Sequence, residues 1–376
     1  MLMKKNILIV SEKCNSFYFK YLTNLVNALI NKDVSISVLI GENVILKFTN
    51  SVKIYESKEF IYWSGNIDEH RYLEIFKIAN EQSINFVHLC RLFDPQRFYS
   101  ALQAEKSGKN CSYSFSIFGI SDYLRKPIFR YYLDSLLDLG ITRKVLLHSI
   151  YPAGVQRYCE EKKLLQNKNI RFVGDPIYDD KTVYVLKKNE ARNNIGIRHN
   201  KKIILYFGAF FLSKGPDILQ EVAHRMIDRK DVIFLFAGDT KSATFNFNKD
   251  KYKDDNLHFD DRYIDEESVV SYILASDLVV LPYRKFYEHN TSGVLIQSCL
   301  GKRPVMVPDI PPFKDVVIEN DLGFIFKCEN IDSLEKEIRL FLETNNDKKK
   351  YGYEKYLSKI ESWDNLASIV LDDINI

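Results

Sequence analysis

The chain has 376 residues, with 53 Lys plus Arg against 50 Asp plus Glu, a net charge of +3. With 25 Phe and 23 Tyr but only 15 Gly and 10 Pro, it is too aromatic to be disordered and too poor in turn formers to be a low-complexity chain. The near-neutral charge speaks against a nucleic-acid binder, and no apolar run is long enough to span a bilayer.

Length alone suggests two or three domains. The predicted elements begin with a strand at Asn6–Val10, too short an apolar run for a signal-peptide core. A helix over Phe17–Asn31 follows, its Phe17, Tyr21, Leu22, Leu25, Ala28 and Leu29 sharing one face. Further strands are predicted at Val34–Leu39, Phe86–Leu89, Tyr113–Ile117, Lys144–His148 and Ile170–Val173. Around Asp175–Lys187 the pattern lapses into polar residues, which places a linker there. The rhythm then restarts. Strands are expected at Lys202–Phe207, Val232–Ala237, Leu278–Pro282, Pro304–Val307 and Gly323–Phe326. Helices are expected at Pro216–Arg229, Glu266–Ala275, Gly293–Leu300 and Ile331–Glu343. Strand and helix alternating in this way predict parallel sheets covered by helices, with ligands at the carboxyl ends of strands.

Two loops carry chemistry. The first runs from Phe207 through Gly208, Ala209, Lys214 and Gly215 to Pro216, where a helix begins. Glycine after a strand lets a ligand approach the backbone, the helix start favours anions, and Lys214 adds a cation for phosphate. An ordinary strand-to-helix turn with a solvated lysine reads equally well. The second loop, Tyr283–Gln297, carries Glu288, His289, Thr291, Ser292 and Gly293 ahead of a helix. Thr291 or Ser292 suits the cap, and the first-turn amides suit a diphosphate. A capped helix behind a solvated loop is the plainer alternative.

Other chemistries are missing. No Asp-x-Asp carboxylate clamp occurs, nor a phosphate loop of the G-x-x-x-x-G-K-[ST] kind, nor H-E-x-x-H, G-x-S-x-G or G-x-G-x-x-G. The seven histidines lack metal-ligand spacing, so no metal or other cofactor is expected. His88 and His148 end apolar strands and read first as hydrogen-bonded structural residues. The six cysteines are scattered, as buried thiols in a reducing compartment would be. The expected location is cytoplasmic.

In combination, the second half resembles the nucleotide-binding domain of family 4 glycosyltransferases, the glycosyl transferases group 1. The resemblance lies in Leu205–Leu219, in Phe236-Ala237-Gly238-Asp239, in Val269–Pro282 and in Gly301–Val305. Glu361–Leu366 resembles the family's C-terminal helix, which returns to the first domain. The implied fold is α/β of the GT-B kind, two facing Rossmann-like domains with parallel sheets and a deep cleft. The implied division is an acceptor-binding domain over 1–180, joined by a helix at about 360–376, and a nucleotide-sugar domain over 190–358.

The chain departs from the family's pattern at several points. Ala209 stands where the family has a phosphate-binding arginine, leaving Lys214 as the matching cation. Gln297 stands where the second, ribose-binding glutamate belongs; His289 lies eight residues before it, and Glu288 fits with a one-residue shift. Ser11–Ser16 lacks the family's usual glycines.

The resemblance implies transfer of a sugar, with retained configuration, from a nucleoside diphosphate to an acceptor hydroxyl. Lys214 and Glu288 are the implied catalytic pair. Gly208, Ala209, Tyr263, Thr291, Ser292, Gly293 and Gln297 join them as donor-binding residues, while Asn15, Ser16 and His88 lie on the acceptor side. Partners would be a nucleotide sugar and a glycan or lipid-linked acceptor of surface polysaccharide or glycolipid assembly. Residues 1–180 carry a +5 surplus, and Arg125, Lys126 and Arg130 among aromatics suit an anionic membrane surface, or else a solvated helix face. A catalytically silent relative is kept open by Ala209 and Gln297. So is another enzyme on the scaffold, such as a sugar-nucleotide epimerase.

Overall fold

The computed structural model describes residues 5–11, 16–41, 48, 52–58, 69–176, 184–197, 200–243, 245–344 and 350–372. The chain folds as two units, Met1–Tyr178 with Glu361–Ile376, and Asp179–Ile360.

In the first unit the described strands are β1 (Lys5–Val10), β2 (Val34–Gly41), β3 (Lys53–Ser57), β4 (Phe86–Leu89), β5 (Ser112–Phe118), β6 (Thr142–Ser149) and β7 (Ile170–Gly174). They form one parallel sheet in the order β3-β2-β1-β4-β5-β6-β7. The helix Ser16–Ile30 buries Tyr21, Leu22, Leu25 and Leu29, the stripe its sequence period demands. The helix Trp363–Leu371 adds Leu366, Ala367 and Val370 to the same core. Lys144 fixes that helix by donating to the Ile369 carbonyl at 2.6 Å.

In the second unit β8 (Lys202–Phe207), β9 (Val232–Ala237), β10 (Leu257–Asp260), β11 (Leu278–Val280), β12 (Val305–Pro308) and β13 (Gly323–Phe326) run in the order β10-β9-β8-β11-β12-β13. All pairings are parallel. Every side chain of β9 and β11 is buried, as strands covered on both faces require.

Several elements differ from expectation. The strand expected through Pro282 ends at Val280. The helix expected through Arg229 ends at Arg225, beyond which Arg229 closes a local pair with Asp231. Two strands, β3 and β10, were not expected at all. Both are edge strands with mixed burial, so neither carries the apolar run that announces a covered strand.

A polar network lies inside the first unit, where β4, β5, β6 and β7 end. His88 and His148 are wholly buried. His88 Nδ1 meets Ser114 Oγ at 2.7 Å, and Tyr21 bridges Ser116 (2.7 Å) and His148 (3.2 Å). Asp175, also buried, sits 3.9 Å from His148. Burial pushes both imidazoles down to about 3, aided at His148 by the neighbouring His88, and pushes the Asp175 carboxyl up to about 7.

The two linkages have opposite signs. Each histidine has a folded pKa below its unfolded value, so its contribution is lost as pH falls below about 6.5. Asp175 has a folded pKa above its unfolded value, so its contribution is lost as pH rises toward 7. Between pH 6.5 and 4 the histidines predominate, and acidification should cost a net of about 1.4 kcal/mol per pH unit. Asp175→Asn removes the opposing contribution and should steepen that loss to about 2.8 kcal/mol per unit. Urea midpoints of both proteins at pH 6.5, 5.5 and 4.5 measure the difference. Parallel slopes would contradict the assignment.

Candidate functional site

In the second sheet the order reverses between β8 and β11. The chain leaves β8 toward β9 on one side and leaves β11 toward β12 on the other. Crevices at such reversals, outside the carboxyl ends of the strands, are where open parallel sheets bind ligands. Both chemically loaded loops of the sequence start there.

The first loop is shaped by glycines. Gly208 has φ of +119° and Gly215 of +63°, conformations that residues with a β-carbon avoid. Gly215 Cα packs onto the chain after β11 so closely that a Cβ would lie 2.0 Å from the Pro282 carbonyl oxygen. Between these glycines a single helical turn, Leu212–Lys214, points Lys214 back over Gly208.

Arg284 closes the second loop onto the first. It grips Asp217 through two hydrogen bonds of 2.9 and 2.7 Å and donates to the Leu212 carbonyl at 2.9 Å. This guanidinium is therefore committed to structure, and it does not replace the cation missing at Ala209. Ala209 itself uses its carbonyl to accept from the Tyr206 hydroxyl at 2.8 Å.

Lys214 is different. No carboxylate or other acceptor pairs with its ammonium among the described residues. Burial lowers its pKa to about 8. A β-carbon on Gly208 would lie 3.5 Å from Lys214 Nζ and 4.0 Å from Val294 Cγ2. One small volume is thus bordered by glycine backbone, an unpaired cation and the first turn of the helix Gly293–Leu300.

Ser292 caps that helix. Its hydroxyl accepts from Leu295 N at 3.3 Å and is bonded to the Tyr283 hydroxyl at 2.9 Å. Gly293 is exposed, with nothing within 4 Å of where a β-carbon would sit, so the helix start is open. The Gly293 and Val294 N–H groups have no acceptor among the described residues, and the helix end adds partial positive charge. Thr291 Oγ1 is buried beside them, also without a partner. Unpaired donors with a desolvated cation suit an anion carrying several oxygens.

The other residues expected at the donor site take the following positions. Gln297, half-buried, lies one turn beyond Gly293 on the same helix face. Glu288 sits before the helix, its carboxylate shared with Lys285 at 2.6 Å. His289 is buried with φ of +59° and donates its N–H to the Pro311 carbonyl at 2.8 Å. Tyr263 is 64% exposed in the loop after β10, two strands from β8.

On the acceptor side, His88 is wholly buried, with its Nδ1 2.7 Å from Ser114 Oγ. Ser16 opens the first helix after β1, and Asn15 lies outside the described residues. Among the described residues no group of three or more His, Cys, Asp or Glu side chains is placed to hold a metal ion. The Arg284–Asp217 clamp escaped sequence reasoning, because a pairing across 67 positions leaves no local pattern.

The fold is that of an α/β protein of the GT-B class, with a candidate anion site at the topological reversal of its second sheet. Residues 187–357, which lie within the second unit, match the family described as Glycosyl transferases group 1. Solved structures agree in fold over nearly the whole chain. Sucrose-phosphate synthase from Thermosynechococcus elongatus superposes with a TM-score of 0.67 at 14% identity, covering 99% of this chain and 98% of that one. Anabaena HepE, solved in complex with UDP, gives 0.64 at 13% identity, with the same 99% and 98% coverage. WaaG, a glycosyltransferase involved in lipopolysaccharide biosynthesis, gives 0.66 at 13%, covering 97% and 99%. No curated protein matches the sequence.

Proposed function

We propose that this protein is a retaining glycosyltransferase that moves a sugar from a nucleoside diphosphate to an acceptor hydroxyl. The observation that carries this reading is the unpaired Lys214 ammonium beside Gly208 and the open start of the helix Gly293–Leu300. In the reaction the bond from the sugar C1 to the β-phosphate oxygen breaks as the acceptor oxygen bonds to C1. The acceptor proton passes to the departing diphosphate. Negative charge grows on that diphosphate, where Lys214 and the Gly293 and Val294 amides stand ready to hold it. Gln297 takes the ribose, Glu288 the donor sugar, and the backbone near Tyr263 the base. UDP is the first donor nucleotide to test, since the fold neighbour HepE was solved with UDP.

The experiment is a thermal-shift comparison of UDP, GDP, ADP and TDP, followed by transfer or hydrolysis from the matching nucleotide sugar. A nucleotide at 100 times its Kd should add about 2.7 kcal/mol of stability. If none raises Tm, the reading fails. Epimerisation of the free nucleotide sugar without acceptor would assign the scaffold to an epimerase.

The first unit takes the acceptor in this reading, and a lipid-linked acceptor at the cytoplasmic membrane face fits its surface. In the helix Pro127–Asp138, Ile128 and Tyr131 are 61% and 66% exposed beside Arg130, with Arg125 and Lys126 just before it. Exposed apolar groups within a basic patch suit an anionic interface. Among the described residues no helix is long and apolar enough to cross a membrane. The protein should float with anionic liposomes at low salt, and the triple variant Arg125→Gln, Lys126→Gln, Arg130→Gln should not. Equal flotation would remove this surface from the account.

A further inference from the structure

A second cavity lies at the other end of the same sheet. Lys202 opens β8, Asp277 directly precedes β11, and Pro304 directly precedes β12. These strand starts, with Phe341, Thr344 and residues 350–355, line a space of about 540 Å³ among the described residues of the second unit. The six residues of β8 separate this end from Gly208, a distance of ~20 Å, so the cavity is distinct from the site around Lys214. Its volume is in the range of small-molecule sites.

Among the described residues the cavity wall carries five lysines and Arg303 against two acids, Asp277 and Glu354. Asp277 is, among the described residues, the one buried carboxylate on its wall. It is shared by Lys188 (2.5 Å), Arg192 (3.0 Å) and Lys202 (3.3 Å) while also accepting from Ile203 N. Arg303, on the same wall, has no carboxylate within 4.0 Å among the described residues. It donates to the carbonyls of Leu274 (2.7 Å) and Lys302 (3.4 Å), and its Nε is buried without an acceptor. Burial lowers the pKa of both Arg303 and Lys188 from their ordinary values.

Tyr353 supplies an independent sign. Its side chain is 6% exposed, and its hydroxyl is buried with no hydrogen-bond partner among the described residues. A buried hydroxyl left unpaired is costly, and so is a buried guanidinium with one N–H lacking an acceptor. Both residues line one cavity, and a ligand there would lie beside each of them. The required group accepts several hydrogen bonds, carries negative charge and fits a guanidinium, which describes a phosphoryl group. The space exceeds a bare phosphate, and the rings of Tyr351 and Tyr353, 5.4 Å apart, offer a flat face to an organic portion.

The geometry points to a second binding site, for a phosphorylated small molecule, held by Arg303, Lys188 and the Tyr353 hydroxyl at the amino end of the second sheet. The phosphoryl group can belong to a soluble metabolite or to a lipid headgroup.

The test uses the full chain with Lys214→Ala as the common background, so that the proposed donor site is weakened and failure there leaves this result readable. Titration calorimetry with pyrophosphate should show one binding event. Adding Arg303→Met should weaken it at least tenfold. Adding Tyr353→Phe instead should weaken it about three- to tenfold, while leaving the anion-free Tm unchanged or raised, because the hydroxyl it removes has no partner. This second variant decides the matter if Arg303→Met does not fold. Flotation with phosphatidylglycerol vesicles is the lipid arm. Arg303-dependent flotation without pyrophosphate binding would assign the phosphoryl group to a headgroup. Binding indifferent to Arg303 and Tyr353, or no binding in either arm, overturns the site.

Discussion

Lys214→Ala should lower kcat by roughly 10²–10³-fold, the loss found when one preorganised electrostatic donor is removed from a transition state. The argument rests on scarcity. With Ala209 in place, the first loop has no arginine, and the nearby Arg284 is bound to Asp217. Lys214 is then the one side-chain cation bordering the volume over Gly208 among the described residues. Its pKa of about 8 gives the prediction a second face. In the wild type kcat/KM should fall as pH rises above 8 and the ammonium loses its proton, and this alkaline limb should be absent in Lys214→Ala. Stability should move the other way. A lysine whose folded pKa lies below its unfolded value destabilises the fold at pH 7, and that cost is relieved only as pH rises from 8 toward 10.5. Lys214→Met should therefore raise Tm while it lowers turnover. Turnover within threefold of wild type in Lys214→Ala would remove this residue from the mechanism.

Gly215→Ala should cost about 2–5 kcal/mol of stability, combining the left-handed backbone penalty with overpacking. The added carbon would lie 2.0 Å from the Pro282 carbonyl oxygen, a backbone atom that can retreat only by moving the chain after β11. Gly196→Ala is the matched control. Its φ of +75° is also left-handed, yet nothing lies within 4 Å of the added carbon, so only about 1–2 kcal/mol is expected. Urea unfolding of both variants separates the backbone cost from the contact. Because Gly215 joins the turn that carries Lys214 to the helix that carries Asp217, Gly215→Ala should also lower activity in whatever fraction remains folded. Equal costs at the two positions would show that the Pro282 contact is unimportant.

How far the sequence could be read followed burial. Strands covered on both faces, such as β8 and β9, were legible to the residue, because their apolar runs are set by the solvent they exclude. The helices Glu266–Ala275, Gly293–Leu300 and Ile331–Glu343 were equally legible, since Asp265, Ser292 and Asn330 each cap a start through a side-chain hydrogen bond. The edge strands β3 and β10 were not, because half-exposed residues carry no such run. Within the candidate site, the loop glycines, Lys214 and the Ser292 cap were visible as local patterns. His88 was visible only as a histidine after an apolar strand. Its burial against Ser114 came from β5, 26 residues away.

By itself the sequence determined the parallel α/β architecture, the strand-to-helix loops able to meet a diphosphate, and the family resemblance that joined them. These are properties of short segments, fixed by periodicity, caps and glycines. The tertiary structure alone decided which charges are available. Arg284 and Lys214 are indistinguishable as basic loop residues, yet one is neutralised by Asp217 and the other faces no carboxylate. The same holds for Arg303 and Tyr353, which become a candidate site only because three strand starts bring them to one cavity. Whether a charge is paired depends on partners tens of residues away, and folding, not local order, brings those partners together.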